Sequence, residues 1–346
     1  MKKLKFFACA IFSLLAVVTE AQNLTTEQIN GLKVYKSIEE AVANPQAVAV
    51  LDLSGKNLTD IPAGIAKLTK LRVLYLQNNN LKTLNGNLAQ LTNLQIVNAD
   101  NNSISVFPSV LYKLTNLQTL SLAHNQIKVL PAQIASLKNL EVLHLNENML
   151  AQVNDLQKLT KLTELDLTQN NITSLPDGIG SLTNLTVLLA GNNKLTVLPE
   201  TLSGCTKLMY LYLDGNQLLK IDKQITSLSQ LRVLCMAECG IKTIPNEISK
   251  LSQLTILALN NNSISTLPSE ICNLNSLEFL GLSNNKLTVL PDKINKLSKL
   301  INLNFCNNLI STTPVSMASF TSLKYVGLSG NRIEMIPFNV SNYLCY

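Results

Sequence analysis

The chain has 346 residues, enough for two or three ordinary domains, yet its 46% hydrophobic content includes only 5% aromatic residues and no Trp, so the apolar mass is Leu, Ile and Val. The net charge is +6 and scattered; without residues 1–21, which hold Lys2, Lys3, Lys5 and Glu20, it falls to +4, from 25 basic and 21 acidic side chains. That balance excludes the clustered basic footprint of a nucleic-acid binder.

Residues 1–21 have a basic start, an apolar run from Phe6 to Val18, and Thr19-Glu20-Ala21. This pattern predicts a secretory signal peptide cleaved before Gln22. The run is too short to span a bilayer well. No second apolar run is present, so the mature chain is expected to be exported without a transmembrane segment: secreted, periplasmic or at a bacterial cell surface. Residues 22–47 differ from the rest of the chain. Ser37 with Glu40 three residues later forms a capping box, Ile38, Ala41 and Val42 give one apolar face, and Pro45 ends the segment. A short helix at about 38–43 is predicted to cover the open edge of the next element, as the ends of stacked arrays require.

From residue 48 to 346 the chain is one unit repeated thirteen times, starting at Val48, Leu71, Leu94 and so on to Leu323. Every step is 23 residues except the fifth unit, which has 22. Leu277–Lys299 is the cleanest copy. Its opening Leu280-Gly281-Leu282 alternates with period two and predicts a short strand with the leucines inward. Asn285 then marks a turn whose buried backbone groups need the donors and acceptor of an amide side chain. Leu290-Pro291, Ile294 and Leu297 come next at three- and four-residue spacing, which predicts a short helical or 3-10 return, with Pro291 in its first turn. Stacking such units pairs their strands in parallel at about 4.8 Å and buries a continuous leucine core. The Asn position departs from the rule at Lys56 and Cys239, and the Pro position at Asn85, Asn154 and Asp222.

A period in the twenties carrying L-x-x-L-x-L-x-x-N-x-L with L-P-x-x-I-x-x-L resembles the leucine-rich repeat family. It resembles in particular the 23-residue form found in Ras-binding scaffold proteins and many bacterial surface proteins. The resemblance covers residues 48 to 346. It implies an α/β leucine-rich repeat solenoid, a right-handed and curved superhelix with a concave parallel sheet and a short helical or 3-10 convex side. It also implies ligand binding on the concave side rather than catalysis.

Two columns of strand residues point outward. Units seven to nine place Val187, Leu189, Tyr210, Tyr212, Val233 and Cys235 there, an apolar patch expected to be exposed, with tyrosines as anchors. His144, Glu164 and Asp166 form its polar, acidic neighbour in units five and six, and His124 lies at a strand exit. These histidines lack the spacing of a metal site, and no motif implies a cofactor. Six cysteines lie beyond the leader: Cys205, Cys235, Cys239, Cys272, Cys306 and Cys345. Their repeat positions do not face one another in neighbouring units, so free thiols are expected. The last unit ends in Pro337–Tyr346, whose aromatics are expected to fold over the final core in a monomeric protein; the alternative is an open edge that meets another chain. The resulting expectation is a non-enzymatic, exported protein that binds a protein partner, with a glycan as the alternative ligand.

Overall fold

The computed structural model describes residues 31–334. The predicted leader and the aromatic tail with Cys345 lie outside the described residues. Fourteen parallel strands form one open sheet in strict sequence order. They are β1 Val34–Tyr35, β2 Val50–Asp52, β3 Val73–Tyr75, β4 Ile96–Asn98, β5 Thr119–Ser121, β6 Val142–His144 and β7 Glu164–Asp166, then β8 Val187–Leu189, β9 Tyr210–Tyr212, β10 Val233–Cys235, β11 Ile256–Ala258, β12 Phe279–Gly281, β13 Asn302–Asn304 and β14 Tyr325–Gly327. Each residue pairs with its own copy in the next unit, as Leu211 does with Leu188 and Leu234. The central strand residue always points inward: Leu51, Leu74, Leu188 and Leu211 are fully buried. One continuous core runs from Tyr35 to Leu328. A buried leucine is worth roughly 1.5–3 kcal/mol, and each unit supplies several.

The sheet begins one strand before the first repeat. Val34 and Tyr35 pair with Val50 and Leu51, an element that two residues of pattern could not announce. The expected capping helix occupies Ile38–Ala43 (α1), with the Ser37 hydroxyl accepting the Glu40 N–H at 3.1 Å. Ala41 is its buried residue.

The asparagine ladder has the geometry an amide allows. In Asn79 the side-chain oxygen accepts from the N–H groups of Lys56 (3.0 Å) and Leu58 (2.9 Å) in the preceding unit. Its nitrogen donates to the carbonyls of Leu53 and Leu76, both at 2.9 Å. The residue before each ladder position turns through left-handed backbone, as at Asn78 (φ 59°), Asn101 (51°), Asn192 (53°) and Gly215 (67°). Asparagine and glycine tolerate that conformation best, which explains the recurrent Asn-Asn pairs.

The prolines are placed differently from expectation. Most stand one residue ahead of the return turn in extended backbone, as with Pro62 (ψ 134°) and Pro199 (ψ 142°), each before a 3-10 turn, whereas Pro176 and Pro291 stand three residues ahead of theirs. The carbonyl of each accepts the first turn bond, from Ile65 at 3.1 Å and Leu202 at 3.0 Å. A position that offers its carbonyl and needs no N–H suits proline as well as a first-turn site does. The structure also accounts for two of the missing prolines. Asn85 caps its turn by accepting the Asn87 N–H, and Asp222 in extended backbone precedes a short α-helix, Lys223–Thr226 (α2). The shortened fifth unit keeps its strand register; Asp155, at φ 69°, stands at the head of its return turn, Leu156–Lys158.

Among the described residues the second ladder of the stack is interrupted between units eight and nine. Elsewhere a second backbone ladder joins the turns, for example Gln217 N–H to Leu195 O and Ser263 N–H to Ile241 O, both 2.8 Å. At this junction it is replaced by Leu219 N–H to Cys239 O (3.0 Å) and a tight Lys220 N–H to Leu218 O contact (2.9 Å). Cys239 stands where an asparagine belongs. Its thiol donates to Leu213 O at 3.2 Å but offers no amide oxygen to the preceding turn. That turn is remade: Leu219 adopts φ 64° and is 56% exposed. Cys239→Asn is expected to restore the missing acceptor and raise stability by about 1 kcal/mol. Urea unfolding at constant m value measures this, and a lower midpoint would show that the remade turn is intrinsically preferred.

Candidate functional site

The outward columns fall where the register placed them, but the patch predicted to be exposed is largely closed. Val187, Leu189, Val233 and Cys235 are only 5%, 9%, 3% and 4% exposed. The reason is the spacing. At about 4.8 Å between neighbouring strands, side chains of adjacent strands stand against one another and cover each other's flanks. Tyr210 lies between Val187 and Val233, and Tyr212 lies between Leu189 and Cys235. Only the two tyrosines remain partly exposed, on a closed apolar floor. The Tyr212 hydroxyl is buried without a hydrogen-bond partner. Burial, with Cys235 and Asp214 nearby, pushes its ionisation well above the usual range.

At the exit of the same strand, Asp214 accepts the Ala237 N–H at 2.7 Å. Burial raises its carboxyl pKa to about 6 despite that bond. Cys235 is held as a thiol by burial and by the Asp214 charge, and burial pushes Cys239 up to about 12. Cys205, Cys235, Cys239 and Cys272 are free thiols, as their repeat positions predict.

The polar neighbour is more tightly built than the sequence suggested. His144 pairs in register with Asp166, but its Nε2 bonds diagonally to Glu164 Oε1 at 2.9 Å. Glu164 is 2% exposed, and its second oxygen, Oε2, is buried with no partner. Asp166 accepts the Thr168 N–H at 2.9 Å. Asp100, not anticipated from sequence, joins from the strand exit of unit three, accepting from the Ser121 hydroxyl at 2.6 Å and the Ala123 N–H at 2.7 Å. Desolvation opposes the charge on His144, yet the hydrogen bond to Glu164 and the fields of Glu164, Asp166 and Asp100 raise its pKa overall. Burial raises Asp166 as well.

A second surface row escaped the sequence reading. The left-handed residues of units nine to twelve bond side chain to side chain: Asn261 to Glu238 (3.1 Å), Asn284 to Asn261 (2.7 Å) and Asn307 to Asn284 (2.8 Å). His124 and Glu147 make the same kind of contact at 2.7 Å. The signal was available, since each first asparagine of an Asn-Asn pair recurs at the 23-residue step. Among the described residues no helix is long and apolar enough to cross a membrane.

Family descriptions match along most of the chain: "Leucine-rich repeat region" over residues 219–336, "Leucine rich repeat" over 46–104 and 160–218, and "Leucine Rich repeats (2 copies)" over 115–158. No curated protein matches the sequence. Among solved structures, a leucine-rich repeat protein of Leptospira interrogans is 30% identical with a TM-score of 0.69, over 87% of this chain and 95% of that one. An internalin, InlF, of Listeria monocytogenes is 24% identical with a TM-score of 0.78, over 89% and 92%. The leucine-rich repeat ectodomain of an Arabidopsis thaliana membrane receptor kinase, solved in complex with Casparian strip integrity factor 2, is 29% identical with a TM-score of 0.70; the match covers 86% of this chain and 40% of that one.

Proposed function

Because the chain belongs to the leucine-rich repeat family, we propose that it binds a protein partner without catalysis, on the open face of its sheet at units five to nine, outside the cytoplasm. One observation carries the reading: Tyr210 and Tyr212 stand partly exposed on a dry, pre-formed floor of Val187, Leu189, Val233 and Cys235. Aromatic anchors on a rigid floor lose little entropy on binding and are the usual centres of interface energy. The similar receptor ectodomain solved in complex with Casparian strip integrity factor 2, and a plant peptide hormone receptor solved in complex with RGF2, support a binding role. Export rests on the leader-like residues 1–21.

The test compares wild type with Tyr210→Ser/Tyr212→Ser in capture from envelope and host-cell extracts, after both show the same thermal unfolding. Capture by wild type is expected to weaken by about a hundredfold or more in the variant. Equal capture by both would remove the tyrosines from the site. Saturable retention on a glycan array, with no protein captured, would favour a carbohydrate ligand instead.

A further inference from the structure

The carboxylates beside the tyrosines are short of positive charge. Buried charges are normally paired or neutralised. Among the described residues, no Lys or Arg forms an ion pair with Asp100, Glu164 or Asp166; the only cation source is His144, bonded to one oxygen of Glu164. The other oxygen, Oε2, is buried within the face and has no partner at all. Three carboxyl groups thus share one imidazole as their single nearby source of positive charge.

We propose that this group receives an arginine or lysine side chain of the protein partner, its head held by Glu164 and Asp166 and its stem lying over Val187 and Leu189 towards the tyrosines. The proposal rests on the partner-binding reading above and adds the chemistry of one contact. Register supports the placement. Glu164 and Asp166 of β7 pair with Val187 and Leu189 of β8, and these pair with Tyr210 and Tyr212 of β9. A long cationic side chain that is apolar along its stem fits this order, charged groups first and apolar floor next. Arginine suits the carboxylates best, because its planar fork bonds two oxygens at once. The groups facing His144 are Glu164 and Asp166 from β7, Asp100 from the unit-three exit and the uncharged Ser121 of β5. Its proton therefore competes with the arriving cation, and affinity rises as pH passes upward through the His144 titration.

The experiment uses the whole chain and two blocked pentapeptides, Gly-Gly-Arg-Gly-Gly and its citrulline counterpart, which keeps the shape and removes the charge. The chain has two histidines, His124 and His144, so their ring resonances can be assigned by single substitution and followed against pH by NMR. The arginine peptide is expected to bind saturably and lower the His144 midpoint by about half a unit, leaving His124 unmoved. The citrulline peptide should do neither. Glu164→Gln, which preserves the size of the buried side chain, is expected to weaken the arginine peptide by about tenfold. Asp166→Asn, at a partly exposed site, provides the same test if the first variant unfolds. No movement of His144, equal movement by both peptides, or unchanged binding in a folded variant overturns the proposal. Tyrosine-dependent capture of a partner with a silent arginine peptide would sink this inference alone. Arginine binding without tyrosine-dependent capture would sink the broader reading alone.

Discussion

Asn193→Ala is expected to destabilise the protein by about 2–4 kcal/mol, and the loss should be visible as a lower unfolding midpoint. Asn193 is buried in the middle of the ladder and serves four backbone groups. Its oxygen accepts the Ile172 N–H at 3.0 Å, and its nitrogen donates to Leu167 O (2.9 Å), Gly191 O (3.1 Å) and Ala190 O (3.2 Å). Alanine removes all four bonds. A buried backbone group left without a partner costs about 1–3 kcal/mol, so one stranded N–H and the weakened carbonyls together reach the stated range. Exposed asparagines in the second row, such as Asn284, give the contrast. Asn284→Ala removes two surface side-chain contacts and should change stability by well under 1 kcal/mol, apart from any left-handed backbone preference. Chemical denaturation of both variants decides the matter. Equal losses at Asn193 and Asn284 would mean that burial of the ladder amide is not what stabilises the turn.

The contrast between Asn193 and Asn284 also marks how far the sequence could be read. A repeat constrains whatever depends on stacking copies: the strand at Leu280, the inward leucines and the ladder at Asn285 all derive from the 23-residue period, because each copy meets an identical neighbour. Exposure of outward side chains does not derive from period. Val187 and Val233 are buried beside Tyr210, and Val50, Val73 and Ile96 in the same column are buried beside one another, whereas Val142 and Ile256 stay partly exposed, a property of adjacent units and not of the repeat. The pairing of Glu164 with His144 was missed for a similar reason. Register puts His144 opposite Asp166, and only the reach of the longer carboxylate makes the diagonal contact. Strand β1 was invisible because two residues carry no periodicity. At unit nine, Cys239 could be recognised as a departure, but its main effect falls on the turn of the preceding unit, where Leu219 stands at a position that Thr, Lys or Ser fills in most other units.

Stability is expected to fall as pH rises from about 4 to 8, and Asp214→Asn should remove the largest part of that fall. Asp214, Asp166 and His144 all have folded-state pKa values above their ordinary ones. A group raised in this way binds protons more tightly when folded. Its stabilising contribution is complete below the unfolded pKa and is lost as pH rises through the folded one. For Asp214 the window runs from the ordinary 3.8 to about 6. For His144 it begins at 6.5 and continues upward. Each pKa unit corresponds to about 1.4 kcal/mol, so Asp214 alone accounts for at most about 3 kcal/mol, and about 2 kcal/mol once its partial exposure to water is allowed for. The chain supplies its own precedent for the substitution. Asn260 occupies the equivalent position two units later, and its oxygen accepts the Ser283 N–H at 3.0 Å, as Asp214 accepts that of Ala237. An amide therefore keeps the backbone bond and carries no charge to desolvate. At pH 4 the variant should match wild type, since Asp214 is already protonated in the folded protein; at pH 7.5 it should be more stable by about 2 kcal/mol. Urea denaturation at the two pH values measures both differences. A variant less stable at pH 7.5 would show that the Asp214 charge supports the strand exit after Tyr212 rather than straining it. The remaining slope above pH 6.5 belongs to His144 and should vanish in His144→Gln.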